Sequence, residues 1–368
     1  MQHKTLLVIV LTLLLFPFCN QAAFGENIPV GKLEKSQGGV IVIREDGKEV
    51  QGKPELHLYG GDCITTGKDG AVWFSLSDGA KFRLGNDSQM DIDEISSEAE
   101  DDMTHLRLVL GYLWSKIKTI GASRGKYNLH TPTAVMGVRG TEFDAIVSID
   151  ASSTVAVDEG IVDIEAEGGT VSLQQGKMSE IEFDGKPSTP VEAIAKEKRD
   201  WNRWREQKTD MFIRNLPRIS PRFRNRFEQA LSRTQTFTEK INQDAERLRD
   251  LIQELRDAKK RHDRGAFLEA RKRLQEHSGQ FKKLVGNFRK VSNRMRTMGG
   301  ISIRMEKFVL ENEDRFTEHD LTLIKADLAA ISKIRPQMKD NFVSTRRNIK
   351  GAFMQLRRLS AEMKKDMQ

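Results

Sequence analysis

Apolar and polar residues alternate in short runs from about residue 31 to residue 183, and glycine separates the runs. Residues 39–44 read GVIVIR, and the turn Glu45-Asp46-Gly47-Lys48 follows. Residues 71–76 read AVWFSL, and Ser77-Asp78-Gly79 leads into AKFRLG. An Asp-Gly pair between alternating runs predicts a hairpin. Further runs fall at 56–59, 89–95, 106–110, 112–117, 127–130, 143–149, 153–157, 161–166, 170–173 and 178–183, with a charged interruption at 96–102. This spacing predicts an all-β domain of many short strands over 31–184; a roll, a sandwich and a barrel all satisfy it.

The pattern changes after GKPSTP at 185–190, which predicts a linker over 185–192. From 193 to 368 apolar residues recur at helical spacing. Ile241, Leu248 and Leu255 lie seven apart, and Leu251 and Ile252 widen the stripe, while Asp244 weakens the companion seam. That favours a bundle over a long dimeric coiled coil. Pro217, Pro221, residues 277–280, Gly299-Gly300 and Pro336 predict breaks. The expectation is four to six helices in a bundle or elongated coil.

At the start, Lys4 precedes an apolar run over residues 6–18, and Ala22, Ala23 and Gly25 follow. The run is short for a membrane span, which needs roughly 20 residues. It reads as an export signal over 1–25, cleaved near its end, and implies a periplasmic or otherwise extracytoplasmic location. Cys63 is then the only mature cysteine and is expected to be buried.

Charge divides the chain. Residues 191–368 hold 43 Lys plus Arg against 25 Asp plus Glu, and residues 1–190 hold 17 against 28. The formal +7 hides a half at −11 and a half at +18. The basic half suits an anionic partner, such as a membrane, a polysaccharide or another protein, or it docks on the acidic half. Export argues against nucleic acid. Phe281, Phe288, Phe342 and Phe353 lie among basic pairs, a composition that suits peripheral contact with an anionic membrane; their alternative place is the helix core.

Candidate chemistry is sparse. His57, His105 and His130 share no ligand spacing, so neither metal nor cofactor is expected. Ser115 and Ser123 lack a nucleophile elbow. Trp73 and Phe74 point to opposite strand faces, leaving one as a contact candidate, whereas Phe82 and Trp114 are expected in the core. The segment TPTAVMGVRGTEFD at 131–144 reads as a constrained β corner. Arg139 within it is expected to be buried and paired with Glu142 or Asp144. Asp62 is expected to cap a turn.

Four phrases resemble the FecR domain family: GDCITTGKDGAVWFSLSDGAKFRLGNDSQMDI at 61–92, LRLVLGYLW at 106–114, TPTAVMGVRGTEFDAIV at 131–147 and VAVDEGIVDI at 155–164. The positions carrying the resemblance, expected to be structural rather than catalytic, are Gly61, Asp62, Gly70, Asp78, Gly79, Gly111, Thr131, Pro132, Gly137, Arg139, Gly140, Thr141, Glu142, Phe143 and Gly160. The resemblance implies a non-enzymatic extracytoplasmic module that binds a protein or envelope component. The founding arrangement of that family places a cytoplasmic helical piece before the β domain. Here the β domain follows the export signal, so sigma-factor regulation is not carried over. Three functions follow as expectations: a binding or scaffold protein, an envelope signalling component acting through a separate membrane protein, and an envelope polysaccharide enzyme using Glu142 and Asp144.

Overall fold

A computed structural model describes residues 28–93, 103–118, 126–183 and 185–365. The expected export signal, the charged interruption at 96–102 and Ser123 lie outside the described residues. The described strands are β1 (Gly31–Gln37), β2 (Val40–Ile43), β3 (Glu49–Gln51), β4 (His57–Leu58), β5 (Cys63–Thr66), β6 (Ala71–Leu76), β7 (Lys81–Leu84), β8 (Gln89–Ile92), β9 (Met103–Lys116), β10 (Lys126–His130), β11 (Ala134–Val147), β12 (Ser153–Ala166), β13 (Gly169–Gln174), β14 (Lys177–Ile181) and β15 (Val191–Glu192). They are followed by three long helices, α1 (Trp201–Lys260), α2 (Arg264–Glu311) and α3 (Glu318–Lys365). The protein is thus an N-terminal multi-stranded β domain followed by a three-helix bundle.

The strands form one branched sheet. Its main path runs β15-β14-β12-β11-β10-β9-β7-β6-β1-β4, and β2, β3, β5 and β8 join it through β9. β9 and β10 pair in parallel; the other named pairs are antiparallel. Three strands are 14 residues long rather than four to six. Glycine bends them instead of ending them. Gly111 sits at φ +97° inside β9, where a Cβ would collide with Ser88. Before it, β9 pairs with β8; beyond it, with β7 and β11. Gly140 and Gly160 bend the β11–β12 pair together, and a Cβ on Gly160 would lie 2.6 Å from the Gly140 carbonyl. The bulges re-aim both strands without breaking the ladder. Leu33, Phe74, Phe82, Leu113, Phe143 and Val157 fill the core inside the curled sheet.

The expected linker is not free. β15 pairs with β14, and Pro187 bridges to Ile181, so residues 185–192 stay on the sheet. Asp200 then caps α1 by accepting from the Arg203 amide at 3.0 Å, and Asp263 caps α2 from the Ala266 amide at 2.9 Å.

Three helices replace the expected four to six. Pro217, Pro221 and Pro336 lie inside helices. A helical proline costs about 3 kcal/mol. Burying one Phe returns about 1.5–3 kcal/mol, and Phe212, Leu216, Phe223 and Phe227 continue the buried stripe through both α1 prolines. The apolar stripe therefore wins. Gly299-Gly300 is not a break either. A Cβ on Gly300 would lie 2.8 Å from Val109 Cγ1, so this glycine lets α2 approach β9. Val109, Ile149 and Ala151 of the β domain share a cluster with Phe212, Met298, Ile301 and Ile331 of the helices. Farther out, Ile241, Leu248, Leu255, Phe281, Phe288 and Leu359 form a separate bundle core.

Glycine position in α2 gives a paired expectation. Gly279 and Gly286 have open space where a Cβ would go. Gly279→Ala and Gly286→Ala should each stabilise the protein by about 0.5–1 kcal/mol. Gly300→Val should destabilise it by about 1–3 kcal/mol through overpacking against Val109. Urea unfolding midpoints of the full chain decide both signs.

Candidate functional site

The predicted corner begins with a tight turn. The Thr131 amide donates to the Ala134 carbonyl at 2.9 Å, and Thr131 Oγ1 accepts from the Ala134 amide at 3.1 Å. Pro132 lies in this turn, and β11 leaves it toward Gly140. Gly137 needs no special backbone and has only ordinary clearance. Thr141 and Phe143 point into the buried interior.

Arg139 is a correction. It is exposed, and neither expected carboxylate is its partner. The bulge at Gly140 shifts the register between Arg139 and Glu142, and other cations take both carboxylates. Glu142 instead takes Lys116 at 2.6 Å and Lys196 at 2.5 Å, with Trp114 Nε1 donating at 3.2 Å. Burial alone would raise the Glu142 carboxyl; the lysine contacts override it and hold it down at about 2. Asp144 is buried and accepts from Arg199 at 2.7 Å, Tyr112 Oη at 2.7 Å and Trp201 Nε1 at 3.3 Å. Arg199 also reaches Asp158 at 2.6 Å. Both carboxylates are thus committed to local pairs, which removes the polysaccharide-enzyme expectation built on them.

The remaining family-like positions are turn builders. Asp62 is buried, accepts from the Tyr59 amide at 2.8 Å and pairs with Arg44 at 2.5 Å. Gly61 beside it sits at positive φ. A Cβ on Gly70 would collide with the Gly39 carbonyl. Asp78 and Gly79 turn β6 into β7, and Asp78 also accepts from Tyr127 Oη at 2.5 Å. Cys63 is half-buried rather than buried, and desolvation pushes its thiol up. Trp114 is half-buried on the outer sheet face, not in the core.

The buried arginine of this protein is Arg107, 1% exposed in β9. It pairs with Asp91 at 3.0 Å and Asp93 at 2.9 Å, and approaches Asn293 of α2 at 3.5 Å. Arg296 of α2 pairs with the same Asp93 at 3.1 Å. Burial alone would raise Asp93; Arg107 and Arg296 override it and hold the carboxyl far below the usual range. A charge inside the run LRLVL was the available sequence signal, but its partners come from β8, the segment after it and α2.

Around this cluster the two charged halves meet. Glu167 takes Arg226 at 2.8 Å and Arg294 at 3.2 Å, Glu165 takes Lys290 at 3.2 Å, and Lys208 pairs with Glu180. Arg205 donates to the Asn86 carbonyl at 3.0 Å. The far arm is different. Residues 240–289 and 341–365 hold 21 Lys plus Arg against 9 Asp plus Glu, a net of +12. Phe281 and Phe288 are buried in its core, with Phe342 and Phe353 packed against that core.

The structure also joins two histidines that the sequence leaves apart. His105 Nδ1 and His130 Nε2 lie 3.2 Å apart because β9 and β10 run in parallel register. His57 lies elsewhere, exposed on β4. No group of three His, Cys, Asp or Glu suited to a metal occurs among the described residues. His130 is fully buried, and desolvation, then His105, hold it down at about 3 from 6.5.

Two outcomes follow. Arg107→Met leaves Asp91 and Asp93 without their buried cation and should cost about 3–5 kcal/mol in urea unfolding. The depressed His130 keeps its contribution above pH 6.5 and loses it as pH falls toward 3, because only the unfolded state takes the proton. Stability should drop by about 2–3 kcal/mol between pH 7.5 and 4.5 from this group. His130→Leu should remove that part of the slope, read from unfolding midpoints at both pH values.

Residues 62–163 match the family described as FecR protein, somewhat over a quarter of the chain. No curated protein matches the chain. Two crystal structures of a "putative anti-sigma factor" from Parabacteroides distasonis are similar at 16% identity and a TM-score of 0.31. Each alignment covers 36% of this chain and 60% of that one, so the chain spans less than two thirds of its length. The protein carries a FecR-like β domain joined to a distinct C-terminal helical region.

Proposed function

We propose that this protein is a non-enzymatic signalling component of the cell envelope. It works by protein–protein contact through a separate membrane protein, with the FecR-like β domain as the recognition unit. The observation that carries this reading is the family match over 62–163, which spans the bends at Gly111, Gly140 and Gly160 and the β-domain members of both charge clusters. The export pattern over 1–25 supports an extracytoplasmic, periplasmic location. No described helix is long and apolar enough to cross a membrane. A binding or scaffold role without signalling is the broader form of the same reading.

The joint between the two regions supports signal relay. Polar contacts from Arg199, Arg205, Lys208, Arg226, Arg294 and Arg296 fix the helices to the β domain. A ligand on the β domain then changes the position of a helical arm as a unit, provided it binds two arrangements with different affinity. The +12 arm adds a second reading, peripheral contact with an anionic surface through charge alone, since its phenylalanines are engaged in the bundle.

Crosslinking in intact cells tests the proposal. The full chain should capture a specific envelope protein, and deletion of the gene should change envelope-responsive transcription. Capture of no protein together with an unchanged transcript profile would refute it.

A further inference from the structure

The outer face of the β domain is ordered in cross-strand rows. One row runs Lys35, Trp73, Arg83, Trp114 and Asp144 across β1, β6, β7, β9 and β11. The adjacent row runs Lys32, Ser75, Lys81, Lys116 and Glu142. Neighbouring strands lie about 4.8 Å apart, so each row is a line of adjacent cross-strand positions.

The right-hand end of these rows is already occupied. The segment leading to α1 lies across it, with a short 3-10 turn at Lys196–Lys198. Lys196 stacks over Trp114 at 5.1 Å and pairs with Glu142, and Arg199 pairs with Asp144. A peptide segment thus reads this half of the face by placing cations on carboxylates beside a tryptophan.

The left-hand end has the opposite sign and no such cover. Lys35 and Arg83 stand over Trp73 at 4.8 and 5.1 Å, and Lys81 is exposed beside them. Lys35, Lys81 and Arg83 have no carboxylate partner among the described residues. Lys32 is held by Glu55 and Lys116 by Glu142 at the borders. Three cations therefore surround a half-buried tryptophan on a domain whose half of the chain carries −11. Arginine and tryptophan are the residue types that anchor protein interfaces. Both accessible cations already stack on the indole, which leaves their charge, rather than a bare ring face, as the feature presented to a ligand.

We propose that this face binds an extended acidic segment of a partner protein. Its carboxylates would sit on Lys35, Lys81 and Arg83, continuing the line that the chain's own segment begins with the charges exchanged. The inference rests on the protein–protein reading given above and names the chemistry of the partner's contact. Because the cations are exposed, the contact should weaken with salt as the screening length falls below about 8 Å.

The test uses the full purified chain and a fluorescent eight-residue peptide of alternating Glu and Thr, with polygalacturonate and phosphatidylglycerol vesicles as competing probes. The peptide should bind. Arg83→Glu and Lys81→Glu should each weaken it at least tenfold, with melting temperatures unchanged. Lys260→Glu on the far arm should leave affinity within twofold. Peptide affinity unchanged in both β-domain variants overturns the proposal. So does tenfold tighter binding of polygalacturonate or vesicles that the same variants abolish. If in-cell crosslinking captures a protein but neither variant alters peptide affinity or capture, the surface is wrong and the signalling reading stands. If peptide binding depends on Arg83 and Lys81 but no protein is captured and the transcript profile is unchanged, the surface stands and the signalling reading falls.

Discussion

Arg107 is the charge on which the junction depends. Its guanidinium is removed from water between β8, β9 and α2, a transfer that is unfavourable unless every donor finds a partner. Asp91 and Asp93 supply the countercharge, and Asn293 supplies the helix side. Arg296 then shares Asp93, so one carboxylate ties a strand arginine to a helix arginine. Separating the helices from the β domain would break that sharing and leave the Asp93 site with one cation fewer. Val109, Met298 and Ile301 form apolar contact at the same junction. The charge network gives the junction its register, and the apolar contact gives it most of its favourable free energy.

The opposite signs of the two halves acquire a local meaning from this junction. Helical cations close to the β domain meet Glu165, Glu167, Glu180 and Asp93. The excess positive charge is carried outward on the arm. On the β domain, Glu142 and Asp144 are covered by Lys196 and Arg199, whereas Lys35, Lys81 and Arg83 are left facing solvent. Net charge by half-chain describes neither distribution. It is the residue-level pairing that separates charge spent on the fold from charge presented to a partner.

Much of the β domain was legible in the sequence. Alternation located eleven of the fifteen described strands, missing β1, β3, β5 and β15, and the Asp46-Gly47 and Asp78-Gly79 turns fell where hairpins were expected. Strand length was not legible, because a glycine that ends a strand and a glycine that bends one look alike in one dimension. Gly111 and Gly160 differ from chain breaks only in having Ser88 and Gly140 beside them. The helical half shows the same limit. Proline and glycine report local cost, but the decision lies with the buried stripe that continues past them. The site suffered most. Arg139 sits in the conspicuous motif yet faces out, and Arg107, in the apolar run 106–110 and not singled out there, carries the buried charge.

The sequence by itself determined the two-part architecture, the heptad-spaced core of the far arm, and the family-like turns. All of these depend on residues within a few positions of one another, where periodicity and backbone preference act directly. Tertiary structure alone decided which carboxylate meets which cation, which glycines bend and which make room, and how two of the three helices absorb three prolines. Those outcomes depend on atoms brought together from distant parts of the chain, such as Asp93 with Arg296 and Gly300 with Val109. A charge or a missing side chain has no assigned role until its neighbours in space are fixed.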